Sequence, residues 1–192
     1  MLKVLILALS TMLLSTITQA KQELSQAQLN FDNNCVRALA TPALIKEKLQ
    51  QHQFKLENTE GNLHIPFGIE TAQLGQKQSI QLKNSGCEYY TFDITLILNA
   101  EKIERQQKLC QQCLITELKN IGQYFQLEER QFYLSGIEIL EQQFKQQKSF
   151  QVGKSYQLND DEEMPQVFLF NQIKKQSNGQ YSIKFSNTLG PL

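Results

Sequence analysis

The hydrophobic pattern is clearest between Asn84 and Phe125. A turn at 84–86 precedes a stretch, Cys87 to Leu98, in which apolar and polar residues alternate. A period of two places one face against a core and the other towards water, which is typical of a β-strand. The next residues carry an apolar stripe at helical spacing and predict one long helix from about Ala100 to Gln123. The stripe comprises Ile103, Cys110, Leu114, Leu118, Ile121 and Phe125.

Shorter elements are predicted before this unit. Thr41-Pro42 suits a helix cap with a first-turn proline, so a short helix is expected from Ala43 to His52. Leu63 to Leu74 contains a proline and a glycine and is therefore expected to be an irregular or edge strand. Gln78 to Lys83 alternates, and we expect it to pair with the strand that follows the turn at 84–86.

The carboxyl-terminal part is predicted to end in a hairpin. Residues 127–147 are ambiguous, because Gly136 to Gln147 has helical spacing whereas Phe132-Tyr133-Leu134 would suit a strand. Val167 to Lys174 and Gln180 to Ser186 flank an Asn-Gly pair, which is a strong hairpin signal. Together the elements predict an α+β fold: a mainly antiparallel sheet with the long helix (about 100–123) and shorter helices packed on one face.

The amino terminus predicts export. Lys3 precedes an apolar run from Val4 to Leu14, and small or polar residues then lead to Ala20, which is the pattern of a secretory signal peptide over 1–20. The apolar run is too short to cross a hydrocarbon core of about 30 Å. No later segment approaches the length of a membrane span, so none is expected in the mature chain.

Length and charge narrow the class further. Residues 21–192 are long enough for one compact domain with its own core, with 21–34 expected as a loose lead-in. The chain has 19 basic and 19 acidic side chains, so it lacks the basic excess that a nucleic-acid interface requires. No Asn-x-Ser/Thr sequon occurs, which favours a bacterial periplasm. The expected location is therefore periplasmic or secreted.

Four cysteines in an exported chain predict two disulfides. If the long helix folds back over its strand, Cys110 lies about 16 Å from their junction at ~1.5 Å per residue. Cys87 lies about 36 Å from the same junction at ~3.3 Å per residue. Their separation then far exceeds the ~7 Å that bridged Cα atoms allow. The expected pairs are therefore Cys35–Cys87 and Cys110–Cys113.

The motif Cys110-Gln111-Gln112-Cys113 leaves two interpretations open. A redox dithiol places its first cysteine at a helix amino terminus, where the helix dipole stabilises the thiolate. The motif here falls well inside the predicted helix, so a structural clip is expected and thiol–disulfide exchange is the alternative. A zinc site would need a second cysteine pair or two neighbouring histidines, and His52 and His64 lie far from the motif in sequence. No metal or cofactor is therefore expected.

Two features suit contact with a partner protein. Asp160, Asp161, Glu162 and Glu163 form a run of carboxylates, which predicts either a solvated loop or a surface for a basic protein. Tyr89 and Tyr90 begin the central strand, so one ring is expected in the core and Tyr89 is the candidate exposed anchor.

The sequence contains none of the common catalytic motifs, such as a nucleophile elbow, a His-Glu-x-x-His helix or a phosphate loop. The predicted function is therefore non-catalytic binding of another protein, in the manner of a periplasmic inhibitor or immunity protein. The alternative is a thiol–disulfide redox protein that uses Cys110 and Cys113.

Overall fold

The computed structural model of the chain describes residues 31, 35–36, 38–59, 65–158 and 165–191. The expected signal peptide at 1–20, nearly all of the lead-in at 21–34, His64 and the acidic run at 160–163 lie outside these residues. The following description concerns the remainder.

Seven antiparallel strands form one sheet in the order β1-β2-β3-β4-β9-β8-β7. The first four form a meander of β1 (Gln50–Asn58), β2 (Pro66–Gly75), β3 (Gln78–Ser85) and β4 (Tyr90–Asn99). The last three are β7 (Ser155–Leu158), β8 (Gln166–Lys175) and β9 (Gln180–Leu189). Between these groups come helix α1 (Ala100–Ile103), a small hairpin of β5 (Glu104–Arg105) and β6 (Lys108–Leu109), and helices α2 (Gln111–Ile121) and α3 (Leu127–Gln147). The predicted α+β class with a mainly antiparallel sheet is confirmed.

The helices cover one face of the sheet, because alternate side chains of the strands are buried against them. Phe92, Ile94, Leu96 and Leu98 of β4 are all at most 2% exposed, as the alternation predicts. Tyr133 of α3 stacks on Phe125 with ring centroids 4.4 Å apart and reaches Phe185 of β9 at 6.3 Å. Tyr90 is half-buried at the margin of the core. Ile103, Leu114, Leu118 and Ile121 of the predicted apolar stripe are buried.

The turns of the sheet follow the glycine signals. Gly86, between β3 and β4, has φ 122°, and a Cβ there would lie 1.7 Å from the carbonyl oxygen of Tyr89, so only glycine fits. The β8–β9 turn is closed by the Gln176 N–H, which donates to the Gln180 carbonyl at 2.8 Å. The hairpin predicted from the Asn-Gly pair is therefore confirmed.

The helix predicted from Ala43 to His52 is wrong. A 3-10 turn at Lys46–Lys48 leads directly into strand β1. The buried carboxylate of Glu70 accepts the N–H groups of Ala43 at 2.8 Å and Leu44 at 3.1 Å, and it lies 2.5 Å from His52 Nε2. A carboxylate on β2 therefore holds this segment against the sheet, and tertiary contacts override the local cap signal.

Of the prediction of an irregular or edge strand for Leu63 to Leu74, the edge position is wrong, although the register of β2 shifts between Gln73 and Gly75. Strand β2 pairs with β1 on one side and β3 on the other. Pro66 is its first residue, a position where a proline is tolerated. Gly68 fits closely under Phe54, because a Cβ there would lie 2.9 Å from the Phe54 ring.

Helix α3 resolves the ambiguity at 127–147. It begins at Leu127, so Phe132-Tyr133-Leu134 is helical and the strand alternative is wrong. The buried residues Tyr133, Ile137 and Leu140 lie on one helical face, and the Tyr133 hydroxyl donates to the Leu118 carbonyl oxygen at 2.7 Å. This bond ties α3 to α2.

The single long helix predicted at 100–123 is wrong, because the chain leaves the helix after Ile103 and starts a new one at Gln111. The β5–β6 hairpin between them turns through Gln106 (φ 52°) and Gln107 (φ 63°). Two successive residues with positive φ suit a tight hairpin turn, for which glycine or asparagine is usual. Glutamines at these positions carry no turn signal, which explains why the helical pattern concealed the break.

Substitution of Gly136 by alanine should destabilise the fold. A Cβ at Gly136 would lie 2.7 Å from Asn187 Cγ, and Asn187 is buried and bonded to Gln166 and to the Phe132 carbonyl oxygen. We expect Gly136→Ala to lower the free energy of unfolding by about 1–3 kcal/mol, measured by denaturant titration. Gln142→Ala, at an exposed position on the same helix, is the control and should be near neutral. Equal midpoints for the two variants would contradict this packing.

Candidate functional site

Both disulfides join the cysteines that were expected to pair. Cys35 and Cys87 have Cα atoms 4.6 Å apart and are separated by 52 residues, so this bond attaches the segment before β1 to the β3–β4 connection. Cys110 and Cys113 have Cα atoms 5.1 Å apart. In a chain-entropy estimate the Cys35–Cys87 bond contributes ~4 kcal/mol to the free energy of unfolding, far more than a disulfide between residues close in sequence.

The position of Cys110 differs from the prediction in a way that matters for chemistry. Cys110 is the N-cap of α2, with extended backbone angles, and does not lie inside a helix. Its Sγ accepts the N–H of Cys113 at 3.1 Å, and its carbonyl accepts the N–H of Leu114 at 2.9 Å. The earlier reason to discount redox chemistry, a position remote from any helix terminus, is therefore wrong.

The β5–β6 hairpin places Cys110 at this terminus. The Cys110 N–H donates to the Ile103 carbonyl oxygen at 2.8 Å, which closes the hairpin base. The Glu104 carboxylate lies 2.5 Å from Lys175 Nζ and accepts the Tyr181 hydroxyl at 2.7 Å. The hydrogen bond from Lys175 lowers the pKa of Glu104. Burial, together with the hydrogen bond to Glu104, raises the pKa of Tyr181 to about 12.

Gln111, between the two cysteines, fixes the first turn of α2 against the loop after α3. Its amide nitrogen donates to the Phe150 carbonyl oxygen, and its amide oxygen accepts the Phe150 N–H, both at 3.2 Å. Gln112 is exposed, and both cysteines are half-buried. Val152, two residues beyond Phe150, is 50% exposed. The disulfide therefore lies in a turn that hydrogen bonds hold in place and that is partly exposed to solvent.

The carboxyl-terminal half of α2 is anchored by Glu117. Its carboxylate accepts bonds from Lys102 Nζ at 2.8 Å and from Gln78 Nε2 at 3.0 Å. Burial raises the pKa of Glu117, but the hydrogen bonds from Lys102 and Gln78 outweigh it, and the net pKa lies below its ordinary value. Helix α2 is thus attached to α1 and β3 through one ionised group.

The arrangement suits a sulfur that must carry negative charge. A helix amino terminus stabilises an anion through its free N–H groups and its dipole, and cysteines in this position are the reactive ones of dithiol proteins. The first turn of α2 contains no acidic side chain that would oppose such a charge. Reduction of the disulfide would therefore place a thiolate of Cys110 in a favourable field.

The other predicted site residues do not gather around this disulfide. Tyr89 is 45% exposed and lies two residues after Cys87, at the other disulfide. The acidic residues Asp160 to Glu163 lie outside the described residues. His52, expected near a helix end, lies instead on β1 beside Glu70. Within the described ranges no cluster of His, Cys, Asp and Glu could hold a metal ion.

Sequence reasoning missed the residues that support the cysteines. The partners of Glu104, Lys175 and Tyr181, are more than 70 residues away from it in sequence. Cysteine is also not among the residues usually preferred at an N-cap. No local signal in the sequence therefore indicated the helix start at Gln111.

Comparison of the chain with protein-family models, with curated proteins and with solved structures found no match in any of the three. Among the described helices, none has the length and hydropathy needed to cross a bilayer.

The Glu117 anchor predicts a pH-dependent stability. Because the folded-state pKa of Glu117 is below the ordinary 4.5, its carboxylate stabilises the fold above that pH, and this contribution is lost as pH falls through the folded pKa. We expect Glu117→Gln to lower the free energy of unfolding by about 1–3 kcal/mol at neutral pH and by clearly less in strong acid. The measurement is denaturant titration with the disulfides intact. The exposed Glu138→Gln serves as control. An equal or larger cost in acid would show that the ionised form is not the stabilising one.

Proposed function

We propose that this protein is a thiol–disulfide exchange protein of an exported compartment, in which the Cys110–Cys113 disulfide oxidises a protein dithiol. The single observation that carries this proposal is the N-cap position of Cys110, whose Sγ already accepts an N–H of the first turn of α2. The presence of two disulfides fits an oxidising location.

The exchange proceeds in two steps. A substrate thiolate attacks Cys110 Sγ, the S–S bond to Cys113 breaks, and Cys113 leaves with the electron pair and takes up a proton. The second substrate thiolate then attacks the substrate sulfur of the mixed disulfide and releases Cys110 as a thiolate. The substrate loses two electrons and two protons and gains a disulfide, and the pair on this protein becomes a dithiol.

The helix terminus favours the oxidising direction. Stabilisation of the Cys110 thiolate stabilises the reduced form, and a disulfide whose reduced form is stabilised is a stronger oxidant. It also makes Cys110 the better leaving group in the second step, because a thiolate that is more stable leaves faster. Gln111, bonded at both ends of its amide to Phe150, would keep the turn in place in both redox states.

The chain supplies its own control for this activity. Neither cysteine of the Cys35–Cys87 disulfide caps the amino terminus of a described helix, so this bond lacks the helix terminus that favours a thiolate. A purely structural role for both bonds predicts that neither exchanges with substrate, whereas the proposal predicts exchange at Cys110–Cys113 alone.

The test is oxidation of a reduced peptide that contains two cysteines, followed by mass spectrometry. We expect the wild-type protein to oxidise one peptide dithiol per molecule and to become reduced at Cys110 and Cys113. The double variant Cys110→Ser, Cys113→Ser should be inactive although folded. Peptide oxidation no faster with wild-type protein than with that variant, or reduction of Cys35–Cys87 instead, would overturn the proposal.

A second candidate function is non-catalytic binding of a protein partner, as an inhibitor or immunity protein would bind. The observation that favours it is two exposed side chains close in sequence to the other disulfide. Val36 follows Cys35 and is 68% exposed, and Tyr89 lies two residues after Cys87 and is 45% exposed. An aromatic side chain held by a disulfide loses little entropy on binding, which suits an anchor. The run Asp160 to Glu163 would add charge for a basic partner.

Tyr89→Ser tests this candidate by capture of partners from a periplasmic extract. We expect wild-type protein to retain a specific partner and Tyr89→Ser to lose it. Leu127→Ser, at a 73% exposed position on α3, is the matched control and should retain the partner. Equal retention by both variants, or no retention by wild-type protein, would contradict an anchor role for Tyr89.

A further inference from the structure

The sheet face opposite the helices carries a concave surface with uncharged side chains. A cavity of about 450 Å³ lies over β1 to β4, and its lining includes the glutamines Gln51, Gln53, Gln73 and Gln81 and the threonines Thr71 and Thr95. We call this the neutral trough. In the described part of the chain the helices lie on the other face of the sheet, so the trough is open to solvent.

The trough contains an ordered row of hydrogen-bonding groups. Gln53 pairs in register with Thr71, Thr71 with Gln81, and Gln81 with Thr95. These four side chains therefore form a line across four strands, in which amides alternate with hydroxyls. Neighbouring positions in such a row are about 4.8 Å apart.

These groups are available to a ligand. Among the described residues, none of the four side chains of the row hydrogen-bonds another side chain or a backbone group. A glutamine amide offers two donors and an acceptor, and a threonine hydroxyl offers a donor and an acceptor. A ligand that both donates and accepts at closely spaced positions would match them.

The absence of charged side chains in the trough restricts the classes of ligand that it can bind. Charged residues make up 20% of the chain, yet the cavity is lined by glutamine, threonine, serine, alanine and isoleucine alone. Lys184 lies opposite Thr95 on β9, just beyond the lining. An anionic polymer would therefore meet no cation within the cavity itself, and an apolar ligand would leave the amides unpaired at a cost. The backbone of β2, β3 and β4 is paired on both sides, so among the strands of the trough an extended peptide could add only at the outer edge of β1.

Irregular backbone lies at one end of the trough. The register of β1 shifts between Gln50 and Gln53, where Gln51 has φ 50°, and the register of β2 shifts between Gln73 and Gly75. Bulges re-aim side chains and are over-represented beside functional sites. A non-glycine residue with positive φ is uncommon and is a reason to look for function.

We propose that the neutral trough binds an uncharged oligosaccharide. Vicinal sugar hydroxyls both donate and accept hydrogen bonds, and sugars repeated along an extended chain match a row of side chains that repeats from strand to strand. Ile97 in the lining offers an apolar contact for the C–H face of a sugar ring. The adjoining cavity of about 820 Å³ shares Gln53, Thr71 and Gln81 with the trough, but its lining also includes Lys46, Lys55 and Glu57, so the uncharged surface ends there.

The test is calorimetric titration of the full protein with uncharged hexasaccharides of glucose, mannose and N-acetylglucosamine. We expect at least one to bind, and Gln81→Ala to weaken it roughly three- to tenfold, as loss of one hydrogen bond implies. Thr95→Val, which keeps the side-chain shape, should weaken binding similarly. Gln157→Ala on β7 is the matched control and should leave the affinity unchanged, because Gln157 is exposed on the sheet but outside the trough.

Three results would overturn the proposal. These are no binding of any of the three sugars, affinity unaffected by both trough variants, and equal or tighter binding of an anionic oligosaccharide or a peptide at the trough. The variant Cys110→Ser, Cys113→Ser should bind sugar as the wild-type protein does. A failure of the proposed thiol–disulfide exchange and a failure of the proposed sugar binding are therefore distinguishable.

Discussion

The structure depends on the pairing of β4 with β9, which joins the two groups of strands into one sheet. Their register runs without a shift from Tyr90 opposite Leu189 to Asn99 opposite Gln180. This pairing brings Tyr181 and Lys175, which flank the β8–β9 turn, next to the chain that leaves β4. Glu104 is bound there, the helix stops at Ile103, and the next helix starts with Cys110 as its cap. The chemistry proposed for the cysteines is thus a consequence of sheet topology.

Much of the sheet could be predicted from local patterns. The alternation in β4, the Asn-Gly turn before Gln180 and the pairing of the four cysteines each depend on spacing that the sequence displays directly. The cysteine pairing was inferred from a helix that does not exist, but the strand length alone keeps Cys87 far from Cys110. Correct pairing therefore did not require the correct helix.

The two wrong helix predictions have a common physical cause, which is a buried or half-buried carboxylate with distant partners. The Glu70 carboxylate accepts hydrogen bonds from the backbone N–H groups of Ala43 and Leu44. The Glu104 carboxylate binds Lys175 and accepts a hydrogen bond from the Tyr181 hydroxyl. In both places a helical pattern in sequence lost to contacts that only the folded sheet supplies. The neutral trough was missed for a related reason, because Gln53, Thr71, Gln81 and Thr95 are aligned only by the strand register.

The most direct test of the central claim is the reduction potential of the Cys110–Cys113 pair, measured against glutathione or a dithiol buffer with Cys35–Cys87 intact. A thiolate stabilised at the start of α2 predicts a potential between about −120 and −270 mV, the range of thiol–disulfide oxidoreductases. A potential below about −300 mV is typical of structural disulfides and would contradict the account.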